Sequence, residues 1–124
     1  MSDWTEEMTK AATAKGLVVV RPKANELFLD IDDAESLATF HKGVGFLGTL
    51  VHGFTRKPSP SGAPDRLHVT VTLGRDVKDQ FERIALQALL GSDRLHEMLC
   101  WEAATRGVLD VCVFFEKPQE PDSR

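Results

Sequence analysis

Two segments of the chain alternate apolar and polar residues with strict period two, and that alternation restricts the chain to an architecture built on half-buried β-strands. Over residues 26–32, Leu27, Leu29 and Ile31 fall on one side and Phe28, Asp30 and Asp32 on the other. Over residues 66–73, Leu67, Val69, Val71 and Leu73 oppose Arg66, His68, Thr70 and Thr72. A helix cannot sort these sets onto two faces, because its side chains recur every 3.6 residues or about that. A third alternating run, residues 108–116, directs Leu109, Val111, Val113 and Phe115 toward a core and Asp110, Cys112 and Phe114 away from it.

The intervening stretches carry helix and turn signals. Residues 3–15 read as a short helix with Asp3 and Glu6 in its first turn and Gly16 as its stop, and residues 17–21 as the first arm of a hairpin. Asp33 is placed to cap a helix from Ala34, with Leu37, Phe40 and His41 at helical spacing before a break at Gly43 and Gly45. A strand is expected over residues 48–56, then a loop, KPSPSGAPD. Asp76 is expected to cap a helix through Phe81, Ile84, Ala85, Ala88 and Leu89 to Gly91, and Ser92 or Asp93 a second helix to Thr105.

From Glu26 onward the order is β, α, β, β, α in two pieces, and β. This order predicts an α+β fold, a ferredoxin-like or RRM-like βαββαβ antiparallel sheet with helices on one face. Residues 1–25 form a helix and strand extension, 26–116 the domain itself and 117–124 a polar tail.

With 124 residues, 42% hydrophobic and 27% charged, the chain supports one core. It has no apolar run that would cross a bilayer, and it starts with the acidic, polar MSDWTEEMTK, so a cytoplasmic location without membrane contact is expected. Cys100 and Cys112 read as buried thiols in a reducing compartment, with no CxxC or Cys/His neighbour to suggest zinc. The net charge of −4 gives no broad attraction to nucleic acid, and Arg56, Lys57 and Arg66 read as scattered surface charge. His41, His52 and His96 read as structural or solvent-facing, and Trp4 and Trp101 as packing residues. The absence of tyrosine excludes a tyrosine-nucleophile nickase.

If the first and third strands of this sheet are central and the fourth lies beside the first, Asp30 and Asp32 end one strand, His68 starts its neighbour and Asp110 starts the next. All four then project from the face opposite the Leu, Val and Ile stripe. Close carboxylates raise each other's pKa unless a cation neutralises them. Mg²⁺ or Mn²⁺ suits such a group, taking oxygen from one or two carboxylates and from substrate phosphates. The SPSG loop would offer N–H groups and hydroxyls to phosphate, with His68 beside it. Phe28 and Phe114 on the same face suit a base or sugar pocket, or the surface of a partner chain.

FLDID, then SPSGAPDRLHVTV, then VLDV resembles the three-part signature of the archaeo-eukaryotic primase (primase-polymerase) superfamily, including the polymerase domains of bacterial nonhomologous end-joining ligases. The resemblance covers residues 26–116 and implies an RRM-like palm. It implies that Asp30, Asp32 and Asp110 are catalytic metal ligands and that Ser61, Gly62, Arg66 and His68 bind the incoming nucleotide. ALLGSD, residues 88–93, is also similar to a segment of small phage and prophage reading frames.

The expected function is therefore that of a minimal, phage-type primase-polymerase domain. It would bind Mg²⁺ or Mn²⁺ and a nucleoside triphosphate for nucleotidyl transfer in DNA replication or repair, and meet DNA or RNA directly or through a partner protein. Two other readings stay open on the same sheet: a noncatalytic module for single-stranded nucleic acid, and a metal-dependent nuclease or phosphohydrolase.

Overall fold

A computed structural model describes residues 4–60, 66–108 and 111–116. The two alternating segments form β2 (Glu26–Ile31) and β4 (Leu67–Leu73), which pair antiparallel with Leu29 opposite Val69 and Asp30 opposite His68. Strand β3 (Val51–Pro58) pairs with the other side of β4, giving the order β2-β4-β3. The stripe expected from the sequence is the core: Leu27, Leu29, Ile31, Val69, Val71 and Leu73 are buried against Phe40 and Leu90. Each such side chain contributes about 1.5–3 kcal/mol on leaving water. Phe40 comes from α2 (Ala34–Leu47), which joins β2 to β3.

Helix α2 runs through Gly43 and Gly45 instead of breaking there. Gly43 is buried, and a Cβ on it would lie 2.6 Å from Leu90 Cδ2, so its lack of a side chain serves close packing and not termination. Asp33 caps α2 as expected. The cap of α3 (Gln80–Leu89) is Asp79 and not Asp76, its carboxylate accepting from the Glu82 N–H at 2.8 Å.

The ends of the chain depart from the expected topology. Residues Val18–Val20 form β1, which follows α1 (Trp4–Ala14), and β1 does not make a hairpin with β2. It pairs antiparallel with β5 (Phe114–Glu116) in a separate two-stranded sheet. The last strand therefore does not lie beside β2. The outer edge of β2 is met by α3 and by its corner with α4 (Arg94–Thr105). Arg83 Nε donates to the Glu26 carbonyl at 3.0 Å, the Phe28 N–H to Gln87 Oε1 at 2.8 Å, and the Asp30 N–H to Ser92 Oγ at 3.0 Å. The Asp93 N–H donates to the Asp30 carbonyl at 2.7 Å. A strand edge must find partners for its backbone groups, and here a helical corner supplies them where a fourth strand was expected.

The face expected to be open is partly covered. The Phe114 ring stacks on Phe28 with centroids 4.3 Å apart and on His68 at 4.0 Å, so Phe28 and Phe114 are buried and do not line a pocket. Val111 and Cys112 are buried in a second cluster with Ile84, Cys100 and Ala103, while Phe115 is only half-buried. The result is a mixed α+β fold with small antiparallel sheets. Among the described residues no helix is long and apolar enough to cross a membrane.

Candidate functional site

The junction of β2 with α2 faces the corner between α3 and α4, and three carboxylates meet there. One oxygen each from Asp30, Asp32 and Asp93 lie within 4.8 Å of one another. Local structure explains why these three are available. The next residue, Asp33, is committed to capping: its Oδ1 accepts from the Ser36 N–H at 2.8 Å, and that bond holds its carboxyl below the usual range. Asp93 stands at the N-cap position of α4 but makes no side-chain capping bond, which leaves its carboxylate free to turn toward Asp32. Gly91, at φ 90°, turns the chain sharply between α3 and α4 and brings Ser92 and Asp93 against the β2 edge.

The electrostatics of the trio are unbalanced. Asp30 Oδ1 and Asp32 Oδ1 are shielded from solvent and have no hydrogen-bond partner among the described residues. Arg66 Nε lies 3.4 Å from Asp32 Oδ1, which is ion-pair range but lacks the alignment of a hydrogen bond. Burial pushes the Asp32 carboxyl up, the charges of Asp93 and Asp30 push it further, and Arg66 only partly offsets them. Buried acceptors without donors are costly, and a cation is the chemical species that satisfies several such oxygens at once.

Two of the trio, Asp32 and Asp93, line a groove of about 880 Å³. Asp32, Asp93 and the first turns of α2 and α4 form its polar end, and Ile84, Met98 and Trp101 contribute an apolar wall. Trp101, expected to be a packing residue, is 48% exposed there and meets Phe81 edge-on at 4.7 Å. The N-terminus of α4, which has no side-chain cap, lies at the polar end, where helix N–H groups favour anions, and Arg94 adds a cation.

The structure thus brings together Asp30 and Asp32, with Arg66 beside them. His68 is the cross-strand neighbour of Asp30, as the strand order predicts, but its ring is engaged elsewhere. Its Nδ1 lies 2.9 Å from Glu116 Oε1 and the imidazole is stacked on Phe114, so it is buried instead of standing free beside the carboxylates. Lys57, read as scattered charge, also approaches Glu116, at 3.4 Å. Ser61, Gly62 and Asp110 lie outside the described residues.

Asp93, expected from the sequence only as a helix cap, is the third member of the trio. The signal was present in ALLGSD: a helix end, a turn glycine and then Ser-Asp, able to present both residues to a neighbouring strand edge. Behind the trio lies a buried polar network. Glu97, 3% exposed, accepts from Gln87 Nε2 at 2.9 Å and from Ser92 Oγ at 2.8 Å, and so anchors the two side chains that hold the β2 edge. No protein-family model, curated protein or solved structure matches the chain.

Proposed function

We propose that the chain binds Mg²⁺ or Mn²⁺ through Asp30, Asp32 and Asp93 and uses it to hold a nucleoside triphosphate for nucleotidyl transfer in DNA replication or repair, in the manner of a minimal primase-polymerase. The observation that carries this reading is the pair of solvent-shielded oxygens without a hydrogen bond among the described residues, Asp30 Oδ1 and Asp32 Oδ1, in a carboxylate trio of which Asp32 and Asp93 line a groove. Hard divalent ions prefer such oxygen donors and keep positions free for phosphate. The bound cation would supply charge stabilisation at the transferring phosphoryl group. Arg66, Arg94 and the α4 N-terminus would hold the remaining phosphate oxygens, and the wall at Met98 and Trp101 would take the base.

The run β2, α2, β3, β4, with β2 and β4 adjacent, is read as the core of a ferredoxin-like palm, its carboxylates at the end of the leading strand. His68 would act indirectly in this reading, fixing β5 against the sheet through Glu116. Nucleic acid would approach from the groove, directly or with a partner protein. The noncatalytic reading loses support because the aromatics it needs, Phe28 and Phe114, are stacked on each other.

Calorimetry with Mn²⁺ and a nucleoside triphosphate tests the proposal, for wild type and for Asp30→Asn. Metal-dependent nucleotide binding that the variant lacks is expected; nucleotide binding indifferent to metal, or unchanged in the variant, overturns it. Incubation with a primed template then separates the chemistries: an extended primer supports nucleotidyl transfer, whereas release of product from nucleotide or DNA without extension assigns the site to hydrolysis.

A further inference from the structure

We propose that His96, Glu97 and Cys100, with Cys112 beside them, form a second cation site, one that takes a thiophilic divalent ion of the Zn²⁺ class. The sequence reading gave His96 no company and Cys100 no histidine neighbour. The structure corrects both, because residues four apart on a helix share a face and α4 carries His96 and Cys100 at that spacing. Their ligating atoms, Nδ1 and Sγ, are 4.0 Å apart, Glu97 Oε2 is 3.3 Å from the same nitrogen, and all three fall within 4.8 Å of one another.

The separations match what a tetrahedral ion asks of its ligands. With ordinary zinc bond lengths, nitrogen and sulfur ligands stand about 3.6 Å apart and nitrogen and oxygen about 3.4 Å. The Nδ1 to Oε2 distance is already there, and the Nδ1 to Sγ distance closes with a shift of a few tenths of an ångström. Cys112 packs in the same buried cluster as Cys100, so the neighbourhood of the three ligands is rich in sulfur.

The donor set decides which ion. One nitrogen, one carboxylate and one sulfur suit Zn²⁺ or Co²⁺ and match Mg²⁺ poorly, since Mg²⁺ demands an oxygen shell. The outer partners are in place as well. Gln87 and Ser92 hold the Glu97 carboxylate by two hydrogen bonds, the arrangement that orients ligands in metal sites. Glu97 and both cysteines are buried, whereas the His96 side chain is 22% exposed and gives the ion its entry. Binding releases the Cys100 thiol proton and frees the imidazole from its contact with Glu97.

Ser92 joins this site to the acidic trio, donating to Glu97 and accepting from the Asp30 N–H. An ion on Glu97 would therefore stiffen the corner that carries Asp93, a structural role separate from the hard-cation site.

The test uses the full, reduced chain and Co²⁺ as a spectroscopic probe. One equivalent is expected to produce a thiolate-to-cobalt charge-transfer band and the strong visible bands of tetrahedral Co²⁺, with Zn²⁺ displacing it. These signals should persist in Asp30→Asn and be lost in Cys100→Ala, and His96→Ala, at a part-exposed position, should weaken Zn²⁺ binding at least about 10-fold. Absence of the charge-transfer band in the wild-type chain overturns the proposal whatever the variants do. So does a band that survives both Cys100→Ala and His96→Ala.

Discussion

Replacing Gly91 with alanine tests whether the corner between α3 and α4 is fixed by sterics, and Gly107→Ala provides the matched control. Both glycines follow helices and both have positive φ, 90° at Gly91 and 84° at Gly107. An L side chain in that region costs about 1–2 kcal/mol, and the loss of glycine's freedom in the unfolded chain returns about 0.4–1 kcal/mol in either variant. The surroundings differ. A Cβ at Gly107 meets nothing within 4 Å, whereas at Gly91 it would lie 2.6 Å from the Ser36 carbonyl oxygen and 3.3 Å from Thr39 Cβ. Ser36 sits in the first turn of α2, so its carbonyl cannot rotate away as a side chain would. Overpacking of this kind costs about 1–3 kcal/mol, which sets the expected gap between the two variants. Urea denaturation, with an unchanged m-value, measures it. Because the same contact seats Asp93 beside Asp32, Gly91→Ala should also weaken Mn²⁺ binding while Gly107→Ala binds as wild type. Equal stabilities, within about 0.5 kcal/mol, would refute the steric account.

Phe114→Ala should cost about 3–5 kcal/mol by emptying the stack on Phe28 and His68, read by chemical denaturation; a loss below about 1 kcal/mol would mean that β5 does not hold the sheet face. The raised pKa of Asp32 fixes the sign of a pH effect in chelator-treated protein. The native state holds more protons than the unfolded state between the ordinary carboxyl value and the raised native one, so this carboxyl's contribution to stability is present below the ordinary value and is lost as pH rises through the raised one. Asp32→Asn should flatten that decline, and a steeper decline in the variant would show that burial and its acidic neighbours do not govern this group.

The central sheet was legible because its signal is local. Leu27, Leu29 and Ile31 alternate with Phe28 and Asp30, and one slip in register would expose them all, so the pattern fixes facing, while the β2-β4 pairing followed from the βαββαβ order. The buried segment at residues 111–114 was not legible in the same way. Val111, Cys112, Val113 and Phe114 are all buried, so alternation carries no information about which side meets which partner, and the choice between β1 and β2 is made by long-range packing. The site was legible by halves. Asp30 follows from its position on β2 and Asp32 from its place just past the strand's end. His68 was placed correctly beside Asp30, but its engagement with Glu116 depends on where β5 goes. Asp93 and His96 were missed because each was judged against its sequence neighbours, while their partners come from β2 and from the next turn of α4.

One substitution of parts connects the unexpected topology to the site. An edge strand such as β2 leaves alternate N–H and C=O groups unpaired, and a neighbouring strand would satisfy them with its own backbone, leaving side chains to point above and below the sheet. A helical corner must satisfy them partly with side chains, and Arg83, Gln87 and Ser92 are aimed inward to do so. Those inward side chains need anchors of their own, which is why a carboxylate as buried as Glu97 is tolerated behind them. The same corner ends in a helix start, and a helix start is where an acidic residue is favoured. Asp93 thus reaches the end of β2 as a consequence of how the edge is closed, and it meets Asp30 and Asp32 at the point where the strand gives way to α2. Closing the edge with a helical corner therefore generates both the third carboxylate and the groove beside it, and a backbone-only closure would have generated neither.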